Sequence, residues 1–211
     1  FPQVLVITRR WMDESLVCKD NCFPQLLLLI GFAHDAADRI YNAIVSSADS
    51  GKTLKPILRL HNTVGSTKYV EFTTSKPVYE TKPDKCHISH VVADTGSWEQ
   101  KMAQALEEFD EVISYVKNYY LSFNIPYTIN GEERNYQPDF IARIDDGHGR
   151  DNPLNLIIEV TGEKKKEKAA KVDTAKTLWI PAINNYGGFG RWAFLEITDP
   201  WDAKKAIRTY I

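Results

Sequence analysis

The amino-acid sequence predicts a mixed α/β fold, in which a sheet flanked by helices follows a smaller, mostly helical segment. Two long stretches, one from Leu26 to Ile44 and one beginning at Trp98, repeat apolar residues every three or four positions, as buried helices do. Two β-prone runs, Tyr136–Ile144 and Leu154–Val160, lie on either side of a polar turn. With 211 residues, of which 43% are hydrophobic and 26% charged, the chain can bury a full core.

The first part of the chain, residues 1–90, is predicted to be a helical and connector region. Pro24 suits the first turn of a helix that extends to about Ala48. Residues 56–90 contain Pro77 and Pro83, which indicates edge-like strands or a loosely ordered connector. Because the chain begins at Phe1 rather than at a methionine, we expect it to be a piece of a longer protein.

The second part, residues 91–211, is predicted to be one α/β domain. Ser97 is a suitable cap for a helix whose apolar face continues as far as Tyr120. The further predicted elements are, in order, strands at Tyr136–Ile144 and Leu154–Val160, a helix from Glu163 to about Trp179, a glycine-rich loop at Asn184–Gly190, a strand at Trp192–Thr198 and a helix from Asp199.

Two acidic residues lie in the paired β-prone runs. The turn lets the runs pair antiparallel, which brings Asp139 and Glu159 to neighbouring strand ends. A charge within an apolar run is costly unless it is paired, hydrogen-bonded or metal-bound. Two such carboxylates can hold a divalent metal, and metals held by carboxylates often serve phosphoryl chemistry.

Composition limits the other functions. The net charge of −2 provides no general basic field, so contact with a nucleic acid must come from a local patch. Three cysteines, an odd number, argue against a disulfide framework and fit the cytoplasm, and the longest apolar run is too short to cross a membrane. Ser50–Thr53 lacks the earlier glycine and the preceding strand of a phosphate-binding loop, so no ATP binding is expected.

The two acids and their surroundings resemble the PD-(D/E)xK nuclease superfamily, and in particular the C-terminal nuclease domain of the type III restriction enzyme helicase–nuclease (Res) subunit. The resemblance is carried by these segments of the second part: Ser97–Leu106, Tyr115–Asn118, Ile125–Tyr127, Tyr136–Phe140 and Ile158–Gly162. The first part, residues 1–90, resembles the helicase-side region that precedes the nuclease in restriction helicases of this group, so the resemblance covers most of the chain. It implies a restriction-endonuclease-like mixed sheet. It also implies a Mg²⁺- or Mn²⁺-dependent endonuclease that acts on double-stranded DNA alongside a methyltransferase (modification) subunit.

The resemblance also implies a set of site residues. Asp139 and Glu159 would hold metal, with Glu99 from the first helix and the backbone carbonyl of Val160. Glu107, Glu108 and Glu111 compete with Glu99 for this role. The family's motif lysine is replaced by Thr161.

Two explanations of that replacement remain open. In the first, a lysine of the next helix reaches the site, with Lys171 preferred to Lys164 or Lys165. In the second, the nuclease has lost activity, and the domain serves as a DNA-binding or subunit-docking module.

A local basic patch follows the second acid. The stretch from Glu163 to Lys176 holds six lysines against three acids, and Lys164, Lys165 and Lys168 are predicted to contact the phosphate backbone. Arg191, after the glycine-rich loop, is a further candidate contact. Such contacts supply affinity without reading the base sequence.

Overall fold

The structure, a computed structural model, describes residues 2–20, 22–47, 56, 65–93, 98–129, 132–160 and 166–211. These residues form a mixed α/β fold with several small sheets and helices, as predicted. The chain divides into two units, Phe1–Thr53 with Thr128–Glu133 and Leu54–Tyr127 with Arg134–Ile211. The domain boundary predicted near residue 90 falls inside the second unit and stays a prediction.

Helices dominate the described part of the first unit. Helix α1 spans Pro2–Ser15, a 3₁₀ turn spans Pro24–Leu28, and helix α2 spans Ile30–Ser47. The helix predicted from Pro24 is therefore present but interrupted, because Leu29 has an extended backbone (φ −69°, ψ 129°). Its predicted end at Ala48 lies outside the described residues.

The remaining elements follow in chain order. The strands are β1 (Val78–Glu80), β2 (His90–Val92), β3 (Val112–Lys117), β4 (Ile125–Ile129), β5 (Glu132–Tyr136), β6 (Phe140–Ile144), β7 (Leu154–Val160) and β8 (Arg191–Ile197). The helices are α3 (Trp98–Glu107), α4 (Lys166–Thr174), α5 (Ile180–Tyr186) and α6 (Ala203–Tyr210), with a π-helical turn at Ala175–Trp179. In the described part of the chain, no helix combines the length and the apolar character needed to span a bilayer.

The central sheet has four strands in the order β3-β6-β7-β8. Strand β6 pairs antiparallel with both β3 and β7, and β8 lies parallel to β7. The antiparallel pair β6-β7 is the one predicted from the polar turn. The parallel pair requires a crossover, which α4 and α5 supply. Strands β1-β2 and β4-β5 form separate two-stranded sheets.

Helices cover both faces of this sheet. Side chains of α3 and α6, among them Met102, Leu106 and Ile207, pack on one face together with alternate residues of β7 and β8. On the opposite side Trp179 of the π-helical turn meets Trp192 of β8, with ring centroids 5.3 Å apart. The sheet is thus packed by helices on one face and, along β8, on the other.

The helix predicted to run from Ser97 to Tyr120 is too long. Helix α3 ends at Glu107, and the following apolar residues Val112–Val116 belong to β3. This run is rich in β-branched and aromatic side chains, and it pairs with β6 from Val112 to Lys117, with a register irregularity between Val112 and Ser114. Ser97, the predicted cap, lies outside the described residues.

Two other predicted boundaries also shift. The strand predicted at Tyr136–Ile144 is divided into β5 and β6, because Pro138 has no N–H to donate to a ladder. The helical stretch predicted to end near Trp179 continues to Tyr186, where Gly187 caps it in the left-handed conformation (φ 74°). The final strand, β8, and the terminal helix, α6, are present as predicted.

Candidate active site

The register of β6 and β7 makes the two predicted acids neighbours. Phe140 lies opposite Ile158 in the antiparallel pair. Asp139, one residue before Phe140, and Glu159, one residue after Ile158, therefore meet at the same end of the pair. The backbone N–H of Val160 donates to Asp139 Oδ2 over 2.7 Å. Asp139 is thereby attached to the strand that carries Glu159.

Glu159 is held from the neighbouring hairpin. The hydroxyl of Tyr136, at the end of β5, donates to Glu159 Oε2 over 2.6 Å. Burial and the charge of Glu159 raise the pKa of Tyr136 far above its usual range. The phenol therefore stays protonated, and it remains a hydrogen-bond donor to the carboxylate.

A further carboxylate lies next to Glu159 on β8. Glu196 is its direct partner in the parallel ladder, so both side chains project from the same face of the sheet. Like charges on directly neighbouring positions of a sheet are destabilising. The charge of Glu196 also contributes to the raised pKa of Tyr136.

Glu99 and Lys117 reach the site from the other elements. Glu99 lies in the first turn of α3 and is only 8% exposed. Its Oε1 atom is 3.8 Å from Lys117 Nζ, at the end of β3. Lys117 Nζ also donates to the carbonyl of Val92 over 2.6 Å.

The neighbouring groups change the pKa of the Asp139 carboxyl. Burial raises the pKa of the Asp139 carboxyl above its usual range, and the charge of Glu99 raises it further. The N–H of Val160, the charge of Lys117 and a hydrogen bond with Glu159 lower it. Carboxylates that share a partly dry region disfavour one another's charge, and a nearby cation relieves that cost.

The other helix glutamates considered for the site have different surroundings. Glu107 accepts hydrogen bonds from two tyrosines and one backbone N–H. Glu108 pairs with Lys204, and Glu111 lies beyond the end of α3. Among these four glutamates, the described contacts bring Glu99 to Lys117 and Asp139.

The donor chemistry of the site suits a hard divalent cation. Carboxylate oxygens with a backbone carbonyl are the ligands that Mg²⁺ and Mn²⁺ prefer. Across the described residues, no three His, Cys, Asp or Glu side chains already stand close enough to form a finished metal centre. The carboxylates would therefore have to draw together around an ion.

The lysines predicted for the site lie in α4 or in the undescribed segment that precedes it. Lys171 lies in α4, and its Nζ is 5.7 Å from the centre of the Tyr127 ring. Lys164 and Lys165 lie outside the described residues, and for Lys168 only the helical backbone is described. Thr161, at the motif position, is also outside the described residues.

Arg191 is engaged in an ion pair at the start of β8. Its guanidinium contacts the carboxylate of Asp146 through both terminal nitrogens, at 2.9 Å for Nη1–Oδ1, and Nη1 also donates to the carbonyl of Asn152. A hydrogen bond from Arg191 and its charge lower the pKa of Asp146 to about 2. Arg191 would have to leave this carboxylate to bind a phosphate.

The places of Lys117 and Glu196 in the site were not expected from sequence. Lys117 lies within the predicted helix that proved to be β3, so its place at the sheet edge was missed. Glu196 was part of a correctly predicted strand, but the parallel register that sets it beside Glu159 depends on a crossover. The alternating, β-branched run before Lys117 is the signal that would have found the first.

Comparison with family models, with curated proteins and with solved structures finds no match to this chain. Function therefore has to be inferred from the site itself.

Proposed function

We propose that the chain is the metal-dependent DNA endonuclease domain of a type III restriction-like helicase–nuclease and hydrolyses phosphodiester bonds. One observation carries the proposal: Asp139 and Glu159, from paired strands, meet at one sheet edge with Glu99 and Lys117. A concentration of acids is costly for a fold and is typical of a functional site.

The order of elements supports a restriction-endonuclease-like sheet. A helix carrying Glu99 comes first, a strand follows Pro138-Asp139, and its antiparallel neighbour ends at Glu159-Val160. This is the order that the resemblance to the PD-(D/E)xK nucleases implies. The register adds support beyond the motif letters, because a shift of one residue would have separated the acids.

Each side chain has a role in this proposal. Asp139 and Glu159, with Glu99 and the carbonyl of Val160, would hold Mg²⁺ or Mn²⁺. The bound ion supplies Lewis acidity and lowers the pKa of a coordinated water. Tyr136 orients the Glu159 carboxylate by its hydrogen bond. Glu196, directly beside Glu159, adds negative charge to the region that attracts the cation.

A lysine is still needed to stabilise the negative charge that develops on the phosphate. Sequence favours Lys171, whereas the described contacts favour Lys117, whose charge acts on Asp139 and which lies 3.8 Å from Glu99. We propose Lys117 for this role and retain Lys171 as the competing assignment. Lys168 of α4 and the preceding Lys164 and Lys165 would contact the DNA backbone. A methyltransferase subunit would be the protein partner.

A second candidate function is a DNA-binding or docking module with a degenerate nuclease fold. Two observations favour it: Thr161 replaces the motif lysine, and no finished metal centre exists among the described side chains. This alternative predicts no metal-dependent cleavage.

A plasmid-cleavage assay with Mg²⁺ or Mn²⁺ tests the proposal. The 211-residue chain should nick or cut supercoiled DNA, and Asp139→Asn should lower the rate more than about 100-fold, since it removes a metal ligand. Asp151→Asn, the same change on the exposed turn between β6 and β7, is the matched control and should keep the wild-type rate.

Cleavage by Asp139→Asn at the wild-type rate would contradict the enzyme assignment. Absence of cleavage by wild type and by both variants would favour the binding module. Comparing Lys117→Ala with Lys171→Ala locates the catalytic cation, because the larger loss identifies the lysine that acts on the phosphate.

A further inference from the structure

We propose that three aromatic side chains beside the acids bind unpaired bases of single-stranded DNA. Phe72, Tyr119 and Tyr120 form this aromatic platform. The inference rests on the proposed function and extends it, because it names a displaced or frayed strand as the part of the substrate that is held next to the acid pair.

The three rings form one cluster with an outward-facing member. Phe72 packs edge-on against Tyr119, with centroids 5.0 Å apart, and nearly parallel to Tyr120 at 5.8 Å and 26°. Tyr119 and Tyr120 are 5.0 Å apart. Tyr120 is 65% exposed, so part of the cluster faces solvent although an isolated tyrosine would gain by burial.

The backbone that presents Tyr120 is strained. Tyr120 and Ser122 both have a positive φ, 58° and 60°, in a backbone region that residues other than glycine rarely adopt. The side chain of Asn118 closes this loop: its Nδ2 donates to the carbonyl of Phe123 over 2.7 Å, and its Oδ1 accepts from the Phe123 N–H over 3.1 Å. Strain that is held in place by such contacts is typical of ligand-binding segments.

The same loop is attached to the acid site. It follows Lys117 directly, and the backbone N–H of Asn118 donates to the carbonyl of Asp139 over 2.8 Å. A strand lying across the aromatic platform would therefore pass beside the carboxylates proposed to hold metal. This position, next to the acid site, is what a surface that holds the substrate requires.

Positive charge accompanies the rings. Lys76 Nζ lies 6.0 Å from the centre of the Tyr119 ring. Phe72 and Lys76 also line a cleft of about 920 Å³, whose described lining contains Lys68, His87 and His90 but Glu71 as its single acid. Phe72 therefore joins the platform to this cleft. Lysines beside an exposed aromatic ring are the usual chemistry for a single strand, in which bases stack on rings and the backbone follows the charge.

Unpaired DNA fits this surface better than a duplex. In a duplex the faces of the bases are covered by their neighbours, whereas a displaced strand can turn its bases outward. Stacking on an aromatic side chain tolerates every base, because each has a π-face. The platform would thus supply affinity without sequence preference.

Fluorescence anisotropy with a labelled oligonucleotide of about 20 thymidines tests the inference. The measurement uses the 211-residue chain in EDTA, so that no cleavage occurs. Tyr120→Gly should weaken binding about tenfold, the loss of one stacking contact. Its melting temperature should change little, because glycine accepts the positive φ while the packing on Phe72 and Tyr119 is lost. Tyr120→Phe should bind within about twofold of wild type, since the ring is retained.

Tyr186→Ala is the matched control. Tyr186 is also exposed and stacks on a phenylalanine, Phe189, at 5.3 Å and 26°, but it lies at the end of α5. Its replacement should leave binding unchanged. Equal losses in Tyr120→Gly and Tyr186→Ala, an unchanged affinity in Tyr120→Gly, or no binding by wild type would overturn the inference. Aromatic surfaces can also bind proline-rich peptides. Binding of a labelled proline-rich peptide, with no binding of the oligonucleotide, would also overturn the inference.

Failure here is separable from failure of the proposed function. Asp139→Asn should bind the oligonucleotide as tightly as wild type while losing cleavage. A platform without a nuclease would show Tyr120-dependent binding and no cutting. A nuclease without a platform would cut normally with Tyr120→Gly and show no change in oligonucleotide affinity.

Discussion

A glutamate is buried at each end of α3, and the two carboxylates have opposite surroundings: hydrogen-bond donors surround one, and the other lies near further acids. At the C-terminal end Glu107 Oε1 accepts from the hydroxyl of Tyr115 over 2.7 Å and from the N–H of Lys82 over 2.8 Å, and Oε2 accepts from Tyr79 over 2.7 Å. At the N-terminal end Glu99 faces Lys117 at 3.8 Å, and its charge disfavours ionisation of Asp139.

The difference separates a structural carboxylate from a functional one. A helix C-terminus is unfavourable for a negative charge, so Glu107 depends on the three donors that surround it. Those donors come from β3 and from the segment around β1, and the carboxylate joins these elements to the helix. At the other end, Asp139 interacts with Glu99 of α3 and with Glu159 of β7, and Glu196 of β8 is the ladder neighbour of Glu159. This arrangement lowers stability and becomes favourable when a cation binds.

The largest expected effect lies at the structural end. Glu107→Gln replaces an acceptor with an NH₂ group that faces donors, so we expect a loss of about 3 kcal/mol in the free energy of unfolding. Urea denaturation measures it, with Glu108→Gln as the control. Glu108 is exposed and pairs with Lys204, so its replacement should cost less than about 1 kcal/mol. Equal costs for both variants would contradict the assignment.

The acid site should respond in the opposite direction. In EDTA, Asp139→Asn should leave the free energy of unfolding unchanged or raise it by up to about 1 kcal/mol. The amide oxygen can still accept the Val160 N–H, and one of the mutually unfavourable charges is removed. The same urea denaturation series measures this variant. A loss comparable to that of Glu107→Gln would mean that Asp139 is a structural residue and would remove the contrast between the two ends.

Sequence was sufficient to predict the central pair of strands. The run Leu154–Val160 is apolar and bounded by turn residues, and the polar turn before it fixes an antiparallel partner, so Asp139 and Glu159 were expected to be neighbours. Local patterns suffice there because both strands are adjacent in the chain. The terminal helix was predictable for a similar reason, since Asp199 caps the turn that begins at Pro200.

Sequence did not predict β3, because the apolar residues of this strand have the spacing of a helix. Ile113, Val116 and Tyr120 continue the three- and four-residue spacing of α3, so a helix pattern extended over residues that pair as β3. Lys117 was hidden by that error. Glu196 was hidden because no local signal shows which residues of two parallel strands become partners.

The most direct test of the central claim, that the gathered acids hold a divalent cation, is a thermal melt with and without Mn²⁺. Wild type should be stabilised by Mn²⁺, by about 2.7 kcal/mol at a concentration 100 times the dissociation constant. Asp139→Asn should show little of this shift, and Glu107→Gln should retain it from a lower starting temperature. The same shift in Asp139→Asn as in wild type, or none in wild type, would contradict a metal site at these acids.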